Sequence, residues 1–441
     1  MLNRDDMMRL FDEKRAMTEE RVRYGIEQNR KGYCRILLCD KEGVPASGAK
    51  IKAIQKTHEF RFGVNIFMLD ELETGEKNER YKEYVKNLFN MATVPFYWNT
   101  LEPEKGKQRY AVNSPKIYRR PAVDLCLDFC EENGIEPREH GLAYEFFFPE
   151  WLKGKTTFEV KTELSRRMKE IAERYGKKIR TMEITNEMHR DVCEGITEFY
   201  REDDYVEWCF KEAERYMSSN QLAINEWTSV WERSGLNRDI YYMEIERAIL
   251  KGARIDAIAM QYHAFRCIES AVKDTRKLYD PEQLFGIMDR YSNFGLPLQI
   301  SEVSIPAYTA EQEDEELQAE LVRTLYSIWF SHKNVEQVIY WNLADGYAAF
   351  AKQGDMSGGE NYYRSGLVRF DFTKKPAYHV LEKLIKEEWH TETEIVTDND
   401  GKAEFKGFYG KYEIETVHNG EKFVREIDFG KKSDRNIKIV L

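Results

Sequence analysis

Between residues 58 and 390 the chain alternates short apolar runs with longer stretches whose apolar positions recur every three or four residues. This repeating rhythm predicts strands at 60–65, 88–93, 137–142, 179–186, 222–226, 256–263, 297–302 and 337–342, of which 137–142 is mostly polar. The longer stretches predict amphipathic helices, for example at 121–133, 158–175, 203–218, 238–251, 281–292 and 311–331. Eight strand–helix units in succession predict an α/β fold, a (β/α)8 TIM barrel rather than an open doubly wound sheet. No glycine-rich phosphate loop follows the first strand, which weighs against a dinucleotide fold.

The pattern changes at both ends. Residues 1–29 form an N-terminal helix, with apolar positions at Met7, Leu10, Phe11, Met17, Val22 and Ile26 that call for packing on another domain. Residues 30–57 and 391–441 read instead as strands with period-two alternation and turns. Neither piece is long enough to bury a sandwich core alone. They are expected to pair into one small β-sandwich made from both chain ends, with the barrel of 58–390 inserted between its halves. The halves resemble a transthyretin-like module. Asp40, Gly43, Pro45, Gly48 and Ala49 carry that resemblance in the first half, and Thr397, Asp398, Asp400, Gly401, Gly410 and Tyr412 in the second.

Composition narrows the function classes. The 441 residues carry a formal net charge of −11, which argues against nucleic acid as a partner, since a phosphate backbone calls for a basic face. No segment approaches the roughly 20 apolar residues of a membrane-spanning helix. The first residues lack the apolar stretch of a secretory signal. Seven cysteines, at 34, 39, 126, 130, 193, 209 and 267, show no Cys-x-x-Cys or zinc spacing. These features predict a cytoplasmic protein, or a secreted one if a native leader is missing, with no cofactor and no metal. Oligomeric state is left open.

The strand ends carry the chemistry. In a barrel of this kind the active site lies at the C-terminal ends of the strands. His140 ends or follows the third strand, with Tyr144 and Glu145 just beyond; Asn186-Glu187 ends the fourth. Gln261 and His263, two apart and therefore on one side of a strand, end the sixth; Glu302 ends the seventh and Trp341 the eighth. Two carboxyls with amides, imidazoles and a tryptophan make a sugar site in composition. Two carboxyl groups about 5 Å apart are what a retaining glycosidase uses, one as acid/base and one as nucleophile.

The order of these blocks resembles glycoside hydrolase family 10, the β-1,4-xylanase family. Met182-Glu-Ile-Thr-Asn186-Glu187 is similar to its acid/base motif, and Ile300-Ser-Glu302 to its nucleophile motif. Ile255-Asp-Ala-Ile-Ala-Met-Gln261-Tyr-His263 is similar to its sixth-strand block. Phe89-Asn90, Glu102-Pro103 and Gly106, His140 to Glu145, Pro149 to Trp151, Ile224-Asn225-Glu226, Trp341, Asp345 and Lys375 to Tyr378 add to the match. The resemblance implies a retaining β-glycosidase acting on xylan, xylo-oligosaccharides or a related β-linked glycan. It implies Glu302 as nucleophile, kept ionised by His263, and Glu187 as the acid/base, which must start protonated. It implies Asn186 on the 2-hydroxyl of the sugar, His140, Gln261 and His263 as further ligands, and Trp341 as the floor of the site.

The departures cluster in one place. The family's polar ligands for the next sugar are replaced by Val94-Pro95-Phe96-Tyr97-Trp98, and its Trp-His by Tyr144-Glu145, with Phe147 close by. Tyr144, Glu145 and Trp98 are candidate sugar contacts. Phe146–Phe148 read as core, while Phe96, Trp98 and Phe147 are bulky enough to close the outer position. Two other classes remain: a carbohydrate-binding barrel that has lost hydrolysis, and a metal-dependent barrel hydrolase. The first strand, Phe60 to Asn65, lacks the His-x-His pair the latter needs.

Overall fold

The computed structural model describes residues 3–189, 197–232 and 239–441. Strands β1 (Lys31–Cys39) and β2 (Lys50–His58) precede eight parallel strands: β3 (Arg61–Asn65), β4 (Met91–Pro95), β5 (Glu136–His140), β6 (Thr181–Asn186), β7 (Gln221–Glu226), β8 (Ala257–His263), β9 (Leu298–Ser304) and β10 (Val335–Tyr340). These eight close into a barrel in chain order, sealed where β10 pairs with β3 at Val338↔Phe62. The expected TIM barrel is therefore present, with each predicted strand within three residues of its place.

Helices between the strands begin where the sequence supplies caps. Thr156 and Glu159 form a reciprocal capping box at the start of Thr157–Tyr175: the Thr156 hydroxyl accepts the Glu159 N–H at 3.3 Å, and the Glu159 carboxylate accepts the Thr156 N–H at 2.9 Å. Val160, Leu164, Met168 and Ile171 then line the face turned to the barrel. Helices at Gly75–Leu88 and Pro376–Lys383 were not among those predicted.

Both chain ends build the sandwich. After the barrel come β11 (Glu392–Val396), β12 (Lys402–Phe408), β13 (Gly410–His418), β14 (Glu421–Phe429) and β15 (Asn436–Val440). One sheet has the order β12-β1-β15, the other β11-β2-β13-β14. Each N-terminal strand thus lies between two C-terminal ones. Alternate residues of both sheets, including Cys34, Ile36, Leu38, Ile51, Phe405, Tyr412 and Phe429, form a core separate from that of the barrel.

The N-terminal segment is two helices, α1 (Arg4–Glu13) and α2 (Arg15–Asn29), rather than one. They break at Lys14, whose ammonium lies 2.7 Å from both Asp280 and Glu282. Arg21 pairs with Asp289, and the Asn29 amide donates to the Ser331 carbonyl, so the pair docks on the barrel helices Pro281–Tyr291 and Gln312–Ser331.

Candidate active site

The site is built on the C-terminal face from side chains at the ends of β5, β6, β8, β9 and β10. Asn186 is the last residue of β6, and Glu187 follows it in left-handed geometry with φ +52°. That conformation costs a non-glycine residue on the order of 1–3 kcal/mol and persists only where its surroundings impose it. Here the Glu187 N–H donates to the Asn225 carbonyl at 3.2 Å. The carboxylate accepts from the Tyr144 hydroxyl at 2.7 Å and from the Gln261 amide at 3.0 Å. The same Gln261 nitrogen lies 3.2 Å from Asn186 Oδ1.

Glu302 lies within β9 and is buried. Its Oε1 accepts from Asn225 Nδ2 at 3.1 Å, and its Oε2 is 3.2 Å from His263 Nε2. The other ring nitrogen of His263 contacts Ser304 Oγ at 2.9 Å, and the ring stacks on Phe265. Trp341 lies between the imidazoles, 5.2 Å from His140 and 6.0 Å from His263 by ring centroids. Glu187, Glu302, Asn186, Gln261, His140, His263, Tyr144 and Trp341 all line one cavity.

Beneath them runs a buried polar network. Glu183, fully enclosed, accepts from Asn225 Nδ2 at 3.1 Å and meets His140 Nδ1 at 2.7 Å and the Arg138 guanidinium at 2.6 Å. Burial alone pushes the Glu183 carboxyl up, but His140 and Arg138 together outweigh it and hold it below its ordinary range. For His140, burial disfavours the imidazolium, yet Glu183 and Glu302 overcome it and raise the pKa above 6.5. Asn225 thus ties Glu302 to a carboxylate one layer deeper.

Two expected sugar contacts fall elsewhere. Trp98 is buried; its indole N–H donates to Glu102 at 3.0 Å and its ring packs edge-on against Phe148 and Trp151. It is a core residue because the short helix Trp98–Leu101 turns it away from the cavity mouth. Glu145 sits on a short 3-10 turn, Glu145–Phe147, and does not line the cavity. Phe96 is also core, packed on Tyr175. The wall is made instead by Tyr97 and Phe147, whose rings lie 4.0 Å apart by centroids. Of the two places expected for Phe147, the core and the outer wall, it takes the wall. The Tyr97 hydroxyl is 2.8 Å from His140 Nε2.

Sequence reasoning gave no role to Tyr97, Glu183 or Asn225, although all three fall in stretches it quoted, and it missed the adjacent pair Arg119-Arg120, which also borders the cavity. Glu183 had a readable signal, since a carboxylate inside an apolar strand demands a buried partner. The arginines had none, because they reach the cavity from a long loop. Asp345 forms a buried ion pair with Lys375 at 2.6 Å and supports the loop after β10. Among the described residues no group of three His, Cys, Asp or Glu side chains could hold a metal ion. Cys193 lies outside the described residues; the other six cysteines are free.

Comparisons with known proteins bear on the fold and the family. The chain is 23% identical over 390 residues to endo-1,4-beta-xylanase 2 of Arabidopsis thaliana, covering 86% of this chain and 32% of that protein. It is 22% identical over 323 residues to endo-1,4-beta-xylanase B of Thermotoga neapolitana, covering 70% of this chain and 84% of that one. The chain spans about a third of the length of both Arabidopsis xylanases 1 and 2, at 35% and 32%. Among solved structures, native xylanase 10B of Thermotoga maritima matches with a TM-score of 0.59 at 20% identity, over 75% of this chain and 96% of that one. Xylanase 10B of Thermotoga petrophila RKU-1, in complex with xylobiose, matches with a TM-score of 0.59 at 19% identity, covering 75% and 95%. These likenesses establish a shared fold. The family model of glycosyl hydrolase family 10 matches residues 52–384, most of the chain and all of the barrel, and the chain belongs to that family.

Proposed function

We propose that this chain is a retaining β-glycosidase that cleaves xylan-type chains, short xylo-oligosaccharides in particular, by double displacement. The observation that carries the reading is the unlike setting of two carboxyls on one cavity. Glu302 is buried between the Asn225 amide and His263, which fits a nucleophile held in one orientation. Glu187 sits at the mouth, held by the Tyr144 hydroxyl and Gln261, which fits a proton donor to the leaving oxygen. Glu302 attacks the anomeric carbon as Glu187 protonates the departing oxygen. Glu187 then takes a proton from water, which hydrolyses the glycosyl-enzyme with the β configuration restored. Asn186, Gln261, His140 and Trp341 line the space for the sugar in this scheme.

The substrate class follows from the relatives, each named an endo-1,4-beta-xylanase. The preference for short chains follows from the wall of Tyr97 and Phe147, where polar ligands for an outer sugar were missing from the sequence.

The test is the anomeric form of the first product, read by proton NMR, together with the Glu302→Ala variant. A β-product and loss of turnover on an aryl β-xyloside are expected. An α-product, or a variant that keeps a substantial share of the rate, would overturn the mechanism. No turnover by the wild-type chain on any β-linked substrate would favour a binding barrel instead.

A further inference from the structure

One side of the cavity holds a feature the hydrolytic scheme does not use. Arg119 and Arg120 border it from the loop that follows β4. The Arg120 guanidinium lies over the wall, its Cζ 4.1 Å from the Tyr97 ring centroid and 5.2 Å from that of Phe147. Its Nη1 donates to the Arg119 carbonyl at 2.8 Å, while its Nε has no hydrogen-bond partner. Arg119 donates through Nη1 to Asn342 Oδ1 at 3.2 Å and to the Tyr347 carbonyl, and its Nε is likewise without a partner. Among the described residues neither guanidinium is in ion-pair contact with a carboxylate.

This is an unusual arrangement for one buried guanidinium, Arg119, and one half-buried guanidinium, Arg120, each with a buried Nε. A guanidinium removed from water is normally matched by a carboxylate, or the desolvation is uncompensated. Burial pulls Arg120 down to about 10, so it stays charged at neutral pH. Glu360 borders the same cavity and its negative charge offsets part of that burial, but it makes no ion pair with either arginine among the described residues, and its Oε2 accepts from Asn342 Nδ2 and the Ala349 N–H, both at 3.3 Å. A neutral xylose chain gives two arginines nothing to neutralise. A guanidinium held over an aromatic ring still has N–H groups to offer, and a pair of them matches an oxyanion that can accept two hydrogen bonds.

We propose that Arg120, supported by Arg119, recognises an anionic group on the sugar seated against Tyr97 and Phe147, a uronate carboxylate or a sulfate ester. The chain is then selective for acidic β-linked oligosaccharides over neutral ones. The proposal rests on the glycosidase reading for the nature of the ligand, and it is tested by binding rather than by turnover.

The experiment uses the full chain carrying Glu302→Gln and reads binding by calorimetry. The probes are xylotriose, the positional isomers of xylotriose bearing one glucuronate, their methyl esters, and xylotriose monosulfates. At least one glucuronate or sulfate isomer is expected to bind tenfold or more tightly than its neutral counterpart. Tight binding of the glucuronate alone, or of the sulfate alone, supports the proposal and names the anion. Adding Arg120→Gln should bring the ratio near one, and Arg120→Lys, which keeps the charge without the fork, should leave an intermediate ratio. If every acidic isomer binds no better than its neutral partner, the proposal is wrong. It is also wrong if Arg120→Gln and Arg120→Lys weaken neutral and acidic probes equally, since the arginine is then structural. Turnover of an aryl β-xyloside by the wild-type chain separately tests the hydrolytic reading, and its failure leaves the comparison of acid with ester intact.

Discussion

Asn225 shows what a single amide can do between two acids. One Nδ2 faces Glu183 and Glu302 at 3.1 Å each, while Oδ1 accepts from the Ser301 hydroxyl at 2.7 Å. The hydroxyl therefore fixes which way the amide points. Asn225→Ala removes the donor to Glu302 and leaves two buried carboxylates without it. Losing a hydrogen bond to a charged group costs about 1.5–3 kcal/mol, so kcat should fall roughly 10- to 100-fold with little change in KM. Steady-state kinetics on an aryl β-xyloside check this, and an unchanged kcat would show that Asn225 does not position Glu302. Glu139, next to His140, makes a separate test. Burial, with the negative charge of Glu183, pushes its carboxyl from 4.5 up to about 8. A folded value above the unfolded one means that folding binds a proton between them. The stabilisation is complete below pH 4.5 and is lost as pH rises through about 8, at up to about 1.4 kcal/mol per pH unit for one whole proton. Glu139→Gln keeps an acceptor for the Glu183 N–H, which now donates to Glu139 at 2.7 Å. The variant's melting temperature should fall less between pH 5 and 8 than that of the wild type. His140, also raised, leaves a residual slope of the same sign above pH 6.5; parallel profiles would refute the buried neutral acid. That Glu187, Glu302, Gln261 and His263 meet at one cavity was legible in the sequence, because each lies at or near a strand end within a recognisable block. Asn225 was quoted within such a block, but its role was not legible, because it acts across three strands and no linear spacing shows that.

Elements were legible where the strand–helix rhythm is regular and less so where charge hides the buried face. The eight barrel strands were placed closely, seven from runs that carry apolar residues and β5, Glu136–His140, from its place in the strand–helix rhythm. Gly75–Leu88 buries only Tyr81, Val85 and Leu88 on its inner side, a stripe too thin among its many charges to stand out. The break between α1 and α2 could not be seen either. Lysine is a good helix former, and the break coincides with the anchoring of Lys14 to Asp280 and Glu282 on another helix. The docking of α2 yields a prediction whose sign opposes propensity. Gly25 faces Ser331 so closely that an added Cβ would lie 2.5 Å from its carbonyl oxygen. In a free helix Gly→Ala stabilises by up to about 1 kcal/mol. Here the methyl group must push α2 off the barrel, and overpacking of this kind costs about 1–3 kcal/mol. Gly25→Ala should therefore lower the melting temperature, whereas the exposed control Gly43 has φ +86° and nothing within 4 Å of an added Cβ, so its loss would arise from backbone strain alone. A Gly25→Ala protein that melts higher than the wild type would mean that α2 is not seated as described.

At the scale of the whole molecule, the two ends of the chain complete each other. Strand β1 is hydrogen-bonded on one side to β12 and on the other to β15, and β2 lies between β11 and β13. Removing residues 391–441 deletes all four of these neighbours. Two strands of nine residues each would then present unpaired edges on both sides, a template for association with other chains. The same cut strips Phe405, Tyr412, Ile414, Phe429 and Ile439 from the core that covers Cys34, Ile36, Leu38 and Ile51. The damage would not stop at the sandwich. Only two residues separate the end of β2 at His58 from the start of β3 at Arg61, the strand on which the barrel closes. The Glu59 N–H between them donates to the Tyr409 carbonyl at 2.9 Å, and the Tyr409 N–H donates to the Arg30 carbonyl at the same distance. Arg30 in turn donates to the carbonyls of Phe330, His332 and Val335 at the foot of β10. The C-terminal segment thus holds both sides of the barrel seam. Truncation after residue 390 should give aggregation or a clearly lower melting temperature, and the loss should appear in the barrel as well as in β1 and β2. Hydrogen exchange on the soluble fraction reads this directly, as faster exchange at β3 and β10 than at β6 and β7 on the far side. A monomeric truncated chain with unchanged melting and protected β3 amides would show that the sandwich is an independent appendage.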